Sequence, residues 1–424
     1  MRKIIPRFVL SWYHFCLAYL GAIIYGFPSR KMTVIGVIGT KGKTTTCNLI
    51  AQLLEQGGFK TGLATTVNFR IGDREWINSE KQTMLGRFRL QKLLRQMVKA
   101  GCQYAVIETS SEGILQHRQR GIDYDVAVFT NLSPEHIERH GGFIRYRQAK
   151  EKLFALVAKK KEGTGVYNLD DENVEHFLRY DIKNKYGYTI NSKPQLENKN
   201  LKKFEIGNIN LTSSGSVFEV NEIKFRTSLI GEMNVYNVVA AICVAISQGV
   251  DLEKLPSRVE KLKAPVGRMQ VIKGKDFLVI VDYAHEPASL RAAYETARLF
   301  HPRRIIGLLG AQGGGRDRGK RGKLGEVAAN YADYIFVTNE DPYDEDPRQI
   351  IDDVASEISG KPVEKIIDRG QAIEKSLNLA QAGDLVLITG KGGEVSMCVA
   401  GGKKVPWSDE EVVKNYLKNK RWPS

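Results

Sequence analysis

Short runs of apolar residues recur along this chain and alternate with segments of helical periodicity. Residues 32–39 form such a run and precede a helical pattern at 44–56, and residues 277–284 precede another at 288–300. Similar runs lie at 104–109, 126–132, 304–311, 334–339 and 384–390. Short β-branched runs that alternate with helices predict parallel strands buried on both faces. The expected fold class is therefore α/β.

The pattern changes between about Lys193 and Arg226, where polar and apolar residues alternate. A period of two predicts antiparallel strands, here attached to the first sheet. A helical segment at 234–249 and a turn containing Pro265 follow, and strand and helix units then begin again. We therefore expect an apolar N-terminal helix (1–31), a central domain (32–264) and a C-terminal domain (265–424).

The N-terminal segment has no charged side chain from Phe8 to Ser29 and has basic residues on both sides. A helix of about 20 apolar residues is long enough to cross a bilayer. Cations at both ends and aromatic residues spread along the run favour a helix in the membrane interface instead. Packing on the rest of the protein is the next alternative, and a true span is the least favoured. A cleaved signal peptide is not expected, because intracellular chemistry follows directly.

Composition places the chain among globular proteins and gives its surface a basic character. The 424 residues include 63 Lys and Arg against 48 Asp and Glu, a net charge of +15. Such a surface attracts anions such as nucleotides, phosphorylated metabolites, anionic lipid or nucleic acid. The five cysteines are scattered without a C-x-x-C pair, which argues against a zinc site and indicates thiols in a reducing cytoplasm.

The sequence GVIGTKGKTTT, residues 36–46, leaves a predicted strand and opens a predicted helix. In that context glycines let backbone N–H groups approach phosphates, Lys43 reaches the β and γ phosphates, and Thr44 is placed to hold Mg²⁺. A coincidental turn rich in Gly, Lys and Thr is the less favoured alternative. The predicted nucleotide-binding residues here are Gly39, Thr40, Lys41, Gly42, Lys43, Thr44 and Thr45.

Two further polar clusters follow strands of the same domain. Glu108 ends the run YAVIE, and His136 lies just beyond the run VAVFTNL. Ligands of open parallel sheets bind at such strand ends, and a carboxylate and an imidazole near Thr44 suit a divalent metal. Taken alone, Glu108 could equally be a solvated strand end and His136 a helix-start residue.

An ordered set of motifs resembles the Mur ligases. They are GTKGKTTT, ETSSEGILQHR, TNLSPEHIERHGGFIRYRQAKEKLF, GEMNVYNVVAA, GRM, VDYAHEPASL, GGGRDRGKRGKLGEVA and ITGKGGE. The resemblance extends from about residue 32 to the C-terminus and is strongest to the members that add the third residue of the peptidoglycan stem peptide. It implies a central P-loop ATPase domain with a parallel sheet and a C-terminal Rossmann-like α/β domain.

The resemblance implies an ATP-dependent amide ligase that works through an acyl phosphate. By analogy, Lys43 holds the triphosphate, Thr44 and Glu108 bind one Mg²⁺, and His136 and Glu108 help to bind a second. Lys150 matches the lysine that is carbamylated in the family; without the analogy it would be a helix-surface lysine. These residues, Lys43, Glu108, His136 and Lys150, are the expected catalytic set.

The same resemblance suggests how the rest of ATP is held. Asn234 and Asn237 would lie near the adenine, Arg268 at the phosphates and Asp282 at the ribose. The two asparagines could instead cap the helix after Gly231. Asp282 has the better case, because an acid at a strand end can accept both ribose hydroxyls.

The sequence departs from the family in the region that recognises the acceptor. Tripeptide synthetases carry an N-terminal domain that grips uridine diphosphate, whereas here the phosphate loop begins at residue 39. We therefore expect a muropeptide or related acidic acceptor, and a lipid-linked form is one alternative. The expected location is the cytoplasm, with peripheral contact of the N-terminal helix at the inner face of the membrane.

The amino-acid pocket also departs from the family. Where relatives have D-N-P-R, this chain has Glu340, Asp341, Pro342 and Tyr343, and tyrosine cannot pair bidentately with a carboxylate. Two carboxylates favour a cationic diamino acid such as lysine, unless the loop is merely acidic surface. The motif GKGGE has Gly393 where relatives have histidine. Gly390, with Glu394 to hold an amino group, completes the predicted pocket.

Three alternative functions stay open at this point. One is a ligase of the same architecture that acts on another poly-acid, of the folylpolyglutamate or cyanophycin type. Another is a nucleic-acid-stimulated ATPase, but no aromatic stacking platform or arginine-rich face supports it, so nucleic acid is not an expected partner. The third is a degenerate regulatory homologue, which the intact phosphate loop, Glu108, His136, Lys150 and Asp282 argue against.

Overall fold

The computed structural model describes residues 7–134, 140–191, 200–315 and 318–420. The chain divides into two compact units, Met1–Lys263 and Ala264–Ser424. Each unit is built on its own β-sheet, and the two are described separately below.

The sheet of the first unit has eleven strands in the order β11-β10-β9-β8-β7-β6-β1-β5-β2-β3-β4. The seven strands from β9 to β2 in that order are parallel, and antiparallel strands extend both edges. The strands are β1 (Thr33–Ile38), β2 (Thr61–Ala64), β3 (Asn68–Ile71), β4 (Arg74–Ile77), β5 (Tyr104–Glu108), β6 (Val126–Phe129), β7 (Thr164–Asn168), β8 (Asn184–Thr189), β9 (Leu201–Thr212), β10 (Gly215–Val220) and β11 (Ile223–Thr227).

Helices cover both faces of this sheet, as its continuous apolar runs predict. Ile35 and Val37 of β1 pack in one core with α2 and α7, whereas Val34 and Ile38 face the opposite core with α3 and α5. The helices are α1 (Arg7–Ile24), α2 (Lys43–Gln56), α3 (Arg87–Lys99), α4 (Ser111–Leu115), α5 (Phe143–Val157), α6 (Glu175–Leu178), α7 (Glu232–Ser247) and α8 (Leu255–Val259).

The second unit has a six-stranded sheet in the order β12-β13-β17-β14-β15-β16, in which only β12 is antiparallel to its neighbour. A separate hairpin pairs β18 with β19. The strands are β12 (Gln270–Lys273), β13 (Leu278–Asp282), β14 (Ile305–Leu309), β15 (Tyr334–Thr338), β16 (Val363–Ile366), β17 (Leu385–Thr389), β18 (Ser396–Val399) and β19 (Lys403–Pro406). The helices are α9 (Pro287–Arg298), α10 (Lys320–Tyr331), α11 (Pro347–Ala355), α12 (Arg369–Leu379) and α13 (Asp409–Asn419). Both sheets confirm the predicted α/β class.

The N-terminal helix α1 lies on the first unit and contacts α3 and residues 117–121. Its buried face consists of small residues, among them Ala18 and Ala22, and a Cβ added at Gly121 would come within 2.5 Å of the Ala22 side chain. In the described part of the chain, no helix is long and apolar enough to cross a bilayer.

Candidate active site

The turn between β1 and α2 carries the phosphate-loop motif. Gly42 has a φ of 78°, a left-handed conformation that glycine adopts without strain, and a Cβ there would lie 2.3 Å from Asn237 Oδ1. The first N–H groups of α2 have no carbonyl partner within the helix, so they are available to phosphate oxygens. Lys43 begins α2, and its Nζ donates to the Thr40 carbonyl at 2.7 Å.

The end of β6 holds the phosphate loop in place. Asn131 Oδ1 accepts from the Lys41 N–H at 2.8 Å, and its Nδ2 donates to the Lys41 carbonyl at 3.1 Å. Thr130 Oγ1 donates to the same carbonyl at 2.7 Å. A Cβ at Gly39 would lie 1.9 Å from Thr130 Oγ1, so this contact also requires glycine. The loop is therefore fixed by a neighbouring strand as well as by its own sequence.

A buried carboxylate lies beside the loop at the end of β5. Glu108 Oε2 accepts from Thr44 Oγ1 at 2.8 Å and from the Thr66 N–H at 2.8 Å, and Oε1 accepts from Thr66 Oγ1 at 2.9 Å. Glu108 is 2% exposed. All three donors are neutral, and among the described residues no cation forms an ion pair with this carboxylate. A buried anion with hard oxygen neighbours fits a Mg²⁺ ligand.

Lys150 is buried behind the phosphate loop, not on the helix surface. It is 2% exposed, its Nζ donates to the Gly39 carbonyl at 2.5 Å, and the same atom lies 4.5 Å from the Tyr146 ring centroid. The described residues contain no cluster of three or more His, Cys, Asp or Glu side chains that could hold a metal. His136, the remaining predicted metal ligand, lies outside the described residues.

Of the two asparagines of α7, Asn237 contacts the phosphate loop and Asn234 contacts Asn237. Asn237 Oδ1 accepts from Thr46 Oγ1 at 3.1 Å, and Asn237 Nδ2 donates to Asn234 Oδ1 at 3.2 Å. Asn234 Nδ2 donates to the Ile230 carbonyl at 2.8 Å. Asn237 is 4% exposed, so it packs the loop against α7, and Thr45 is also buried.

In the second unit, Asp282 ends β13 and fixes the turn before it. Its Oδ2 accepts from the Met269 N–H at 2.7 Å and its Oδ1 from the Ala284 N–H at 2.8 Å. Burial raises the pKa of this carboxyl, and the charge of Arg268 opposes that shift. The Arg268 guanidinium lies 4.5 Å from the Tyr283 ring centroid. The charged groups of Arg268 and Asp282 therefore interact at the end of β13.

Glu340 lies fully buried after β15, and in the described part of the chain neither of its carboxylate oxygens has a hydrogen-bond partner. Burial raises the pKa of this carboxyl, and the Asp341 carboxylate raises it further. A Cβ at Gly390, whose φ is 106°, would lie 2.7 Å from Glu340 Oε2. Glu340 and Gly390 are therefore in direct contact, as members of a shared pocket would be.

Asp341 differs from what the acidic motif suggested, because a buried cation neutralises it. Lys391 Nζ donates to Asp341 Oδ1 at 2.9 Å, to Glu394 Oε2 at 2.5 Å and to the Ser396 carbonyl at 2.8 Å. The Cys398 N–H also donates to Asp341 Oδ1, at 2.7 Å. Tyr343 follows with a φ of 53° and its N–H bonded to the Cys398 carbonyl. Residues 340–342 are therefore buried and not part of a solvated acidic surface, whereas Asp344 and Asp346, which follow them, are exposed.

Two family descriptions match most of the chain. The one described as Mur ligase middle domain matches residues 37–245, and the one described as Mur ligase, glutamate ligase domain, matches residues 267–392. A UDP-N-acetylmuramoyl-L-alanyl-D-glutamate--2,6-diaminopimelate ligase of Bacillus cereus is 36% identical over 411 residues, covering 95% of this chain and 81% of that protein. The chain belongs to the Mur ligase family.

Other members and structures agree with this assignment. A UDP-N-acetylmuramyl-tripeptide synthetase of Roseiflexus sp. is 36% identical, covering 93% of this chain and 80% of that protein. A solved diaminopimelate ligase superposes with a TM-score of 0.61 at 32% identity, over 91% of this chain and 78% of that one. The folylpolyglutamate synthase of Mycobacterium tuberculosis, complexed with ADP, has a TM-score of 0.70 at 19% identity, over 89% and 91% of the two chains, and shows the shared fold. This Mur ligase is accordingly an ATP- and Mg²⁺-dependent enzyme.

Several residues that shape the site were not found from the sequence. Thr66 binds Glu108, Thr130 and Asn131 hold the phosphate loop, and Lys391 neutralises Asp341. Thr130 and Asn131 directly follow β6, so their place at a strand end was a usable signal. Thr66 and Lys391 likewise lie two residues after β2 and β17, but their partners, Glu108 and Asp341, depend on contacts between distant segments of the chain.

Proposed function

We propose that this Mur ligase joins an amino acid to a carboxylate of a muropeptide and converts ATP to ADP and phosphate, in peptidoglycan precursor synthesis. The observation that carries the proposal is the Thr44–Glu108 pair beside a phosphate loop, in a chain that matches muropeptide ligases along most of its length. Folylpolyglutamate synthesis is less favoured, since that similarity is one of fold alone.

The proposed reaction has two steps. An acceptor carboxylate oxygen attacks the γ phosphorus, ADP leaves, and an acyl phosphate forms. The neutral amine of the amino acid then attacks the acyl carbon, phosphate leaves, and the nitrogen loses a proton. The Lys43 ammonium and the N–H groups at the N-terminus of α2 stabilise the negative charge of the phosphoryl group during its transfer.

Thr44 and Glu108 would hold one Mg²⁺. His136 and Glu108 would help to bind a second, with Lys150 linked to the metal. Bound there, the metal would supply positive charge to the phosphates and the acceptor carboxylate. We further propose that Lys150 is carbamylated, which would turn a buried ammonium into an anionic group. Lys150 contacts the Gly39 carbonyl and the Tyr146 ring, and this position supports a role at the phosphate loop.

Four further residues are proposed to hold the rest of the nucleotide. We assign Asn234 and Asn237 to the adenine side, Arg268 to the phosphates and Asp282 to the ribose. For Asn237 the support is its packing against the phosphate loop, and for Asp282 it is the position at the end of β13.

The acceptor is proposed to be an acidic muropeptide, either UDP-linked, as the relatives' names describe, or lipid-linked. We place the enzyme in the cytoplasm, with the N-terminal segment, residues 1–31, contacting the inner face of the membrane. Residues 32–264 would form the ATP-binding domain and residues 265–424 the C-terminal ligase domain.

For the added amino acid we propose a cationic diamino acid without a distal carboxylate. Glu340 and Glu394 would receive its ammonium groups, beside Gly390 and Tyr343. Because Lys391 pairs with both Asp341 and Glu394, the preference would depend mainly on Glu340. An unpaired substrate carboxylate beside Glu340 should be disfavoured by roughly 1 kcal/mol or more, which is about fivefold or more in kcat/KM.

Tyr343→Arg tests this specificity. The arginine would supply a bidentate partner for a distal carboxylate, so the ratio of kcat/KM for lysine to that for meso-diaminopimelate should fall by about tenfold. Tyr343→Phe is the matched control and should leave the ratio unchanged. A wild-type preference for diaminopimelate would show that this loop does not set specificity.

A phosphate-release screen tests the activity itself. Purified protein is supplied with ATP, Mg²⁺, UDP-linked or lipid-linked muropeptides, and a panel of amino acids. Phosphate release should require both an acceptor and an amino acid, and Lys43→Ala should lower it by at least about a hundredfold without lowering the melting temperature. Turnover that needs no amino acid, or that polynucleotide stimulates, would contradict the proposal.

A further inference from the structure

Helix α1 exposes its large apolar side chains and buries its small ones, which is the reverse of an ordinary surface helix. At about 100° per residue, its exposed apolar side chains fall within one stripe about 120° wide. The stripe consists of Val9, Trp12, Tyr13, Cys16, Leu20, Ile23 and Ile24. Trp12 is 66% exposed, and Ile23 and Ile24 are each 60% exposed. A surface helix normally turns such side chains toward the core.

The opposite face of α1 fixes the helix to the protein through small and polar contacts. Ser11 Oγ lies 2.8 Å from His117 Nε2, and the Phe15 ring packs edge-on against the His117 ring. Ala18 and Ala22 are buried, and Gly21 packs against α3. Because these contacts fix the rotation of α1, the apolar stripe is held outward by the fold.

The charges around the stripe select an anionic surface. No acidic residue occurs before Glu55, and α3, the helix that α1 packs on, carries five cations and no acid. Arg30 and Lys31 are exposed just beyond the end of α1, and the Arg30 guanidinium lies 4.4 Å from the Phe27 ring centroid. Apolar and aromatic side chains flanked by cations are the features of helices that lie in the headgroup region of anionic bilayers.

We infer that the outer face of α1 is a docking surface for an anionic lipid bilayer, with the helix lying in the plane of the interface. This deepens the proposed function, on which it rests for the membrane location, by naming the face and the partner. Helix α1 contacts residues 117–121, which follow Glu108 and α4 along the chain. Docking of α1 would therefore hold the first unit at the membrane through a segment close in sequence to the catalytic carboxylate.

Vesicle binding of the full-length chain tests this inference. The probes are vesicles of phosphatidylglycerol with phosphatidylcholine, and vesicles of phosphatidylcholine alone. The wild type should bind the anionic vesicles, and the triple variant Leu20→Gln/Ile23→Gln/Ile24→Gln should bind at least about tenfold more weakly. Arg30→Gln/Lys31→Gln should lower binding to anionic vesicles only.

A matched control carries the same change at exposed isoleucines elsewhere. The triple variant Ile77→Gln/Ile144→Gln/Ile367→Gln should bind vesicles like the wild type. Equal melting temperatures of the α1 variant and the wild type exclude unfolding as the cause of weaker binding. Failure of the wild type to bind, equal binding by the α1 variant, or dimerisation through this face without lipid would overturn the inference. Phosphate release in the absence of vesicles reports the ligase reaction separately.

Discussion

At the residue scale, Lys150 shows how burial changes the interpretation of a side chain. A lysine on a helix would ordinarily be exposed, whereas this one is enclosed by the phosphate loop and Tyr146. A buried cation at that place is costly unless it is paired or modified. Its position therefore supports a functional role.

Lys150→Ala should be nearly inactive and partly restored by short carboxylic acids, because these would replace the carboxylate of the carbamylated side chain. Added bicarbonate should raise the activity of wild type that has been depleted of carbon dioxide. Lys152→Ala, which removes an exposed lysine from the same helix, is the control and should stay active. Full activity of Lys150→Ala, measured by phosphate release, would contradict the assignment.

Glu340 makes stability depend on pH in a defined direction. Its folded pKa is raised by burial and by Asp341, so the native state loses stability as pH rises from the unfolded value through the folded one. Glu340→Gln mimics the protonated acid. The melting temperature of Glu340→Gln minus that of the wild type should therefore increase between pH 5 and pH 8. The expected increase is roughly 2–4 °C for each kcal/mol of stability that the wild type loses over this range. Glu374→Gln, at an exposed glutamate of α12, is the control, and a pH-independent difference for Glu340→Gln would contradict the assigned cause.

At the element scale, the ends of β1, β5 and β6 meet because these strands are neighbours in the sheet. The apolar runs that precede the phosphate loop, Glu108 and His136 were sufficient to predict that the three segments converge, since parallel strands present their carboxyl ends at one edge. The hydrogen bonds between Asn131 and Lys41, and the one from Lys391 to Asp341, could not be predicted, because they depend on register and side-chain packing.

Thr130→Val tests the link between β6 and the phosphate loop. The substitution keeps the shape of the side chain but removes the hydroxyl that donates to the Lys41 carbonyl. The loss of one hydrogen bond, about 0.5–1.5 kcal/mol, should raise the KM for ATP by about threefold to tenfold. Thr130→Ser retains the donor and should have a KM near that of wild type. Equal KM values for both variants would show that this bond does not position the loop.

The helix α1 shows where sequence reasoning left two options open. The uncharged run from Phe8 to Ser29 favoured an interfacial helix over packing on the protein, and the structure shows that one face does pack while the other stays exposed. Hydropathy alone could not assign the two faces, because the small residues Ala18, Gly21 and Ala22 are buried only through their fit to α3 and Gly121.

At the scale of the whole molecule, the two units have separate sheets and separate cores. The first carries the phosphate loop and Glu108, and the second carries Asp282 and Glu340. Motifs in a fixed order along the chain were enough to predict the family, and the matches at 36% identity confirm it. The basic excess of the chain, +15, agrees with an enzyme of anionic substrates.

In the proposed reaction, the acceptor carboxylate is activated as an acyl phosphate before the amine attacks. Oxygen transfer tests it most directly: a muropeptide labelled with ¹⁸O in the acceptor carboxylate is ligated to an amino acid, and the released phosphate is analysed by mass spectrometry. Attack on the γ phosphorus keeps the acceptor oxygen bonded to phosphorus, so one ¹⁸O should appear in phosphate for each amide bond formed. Amide formation with unlabelled phosphate, or phosphate release without amide formation, would rule out the acyl phosphate as the intermediate of ligation.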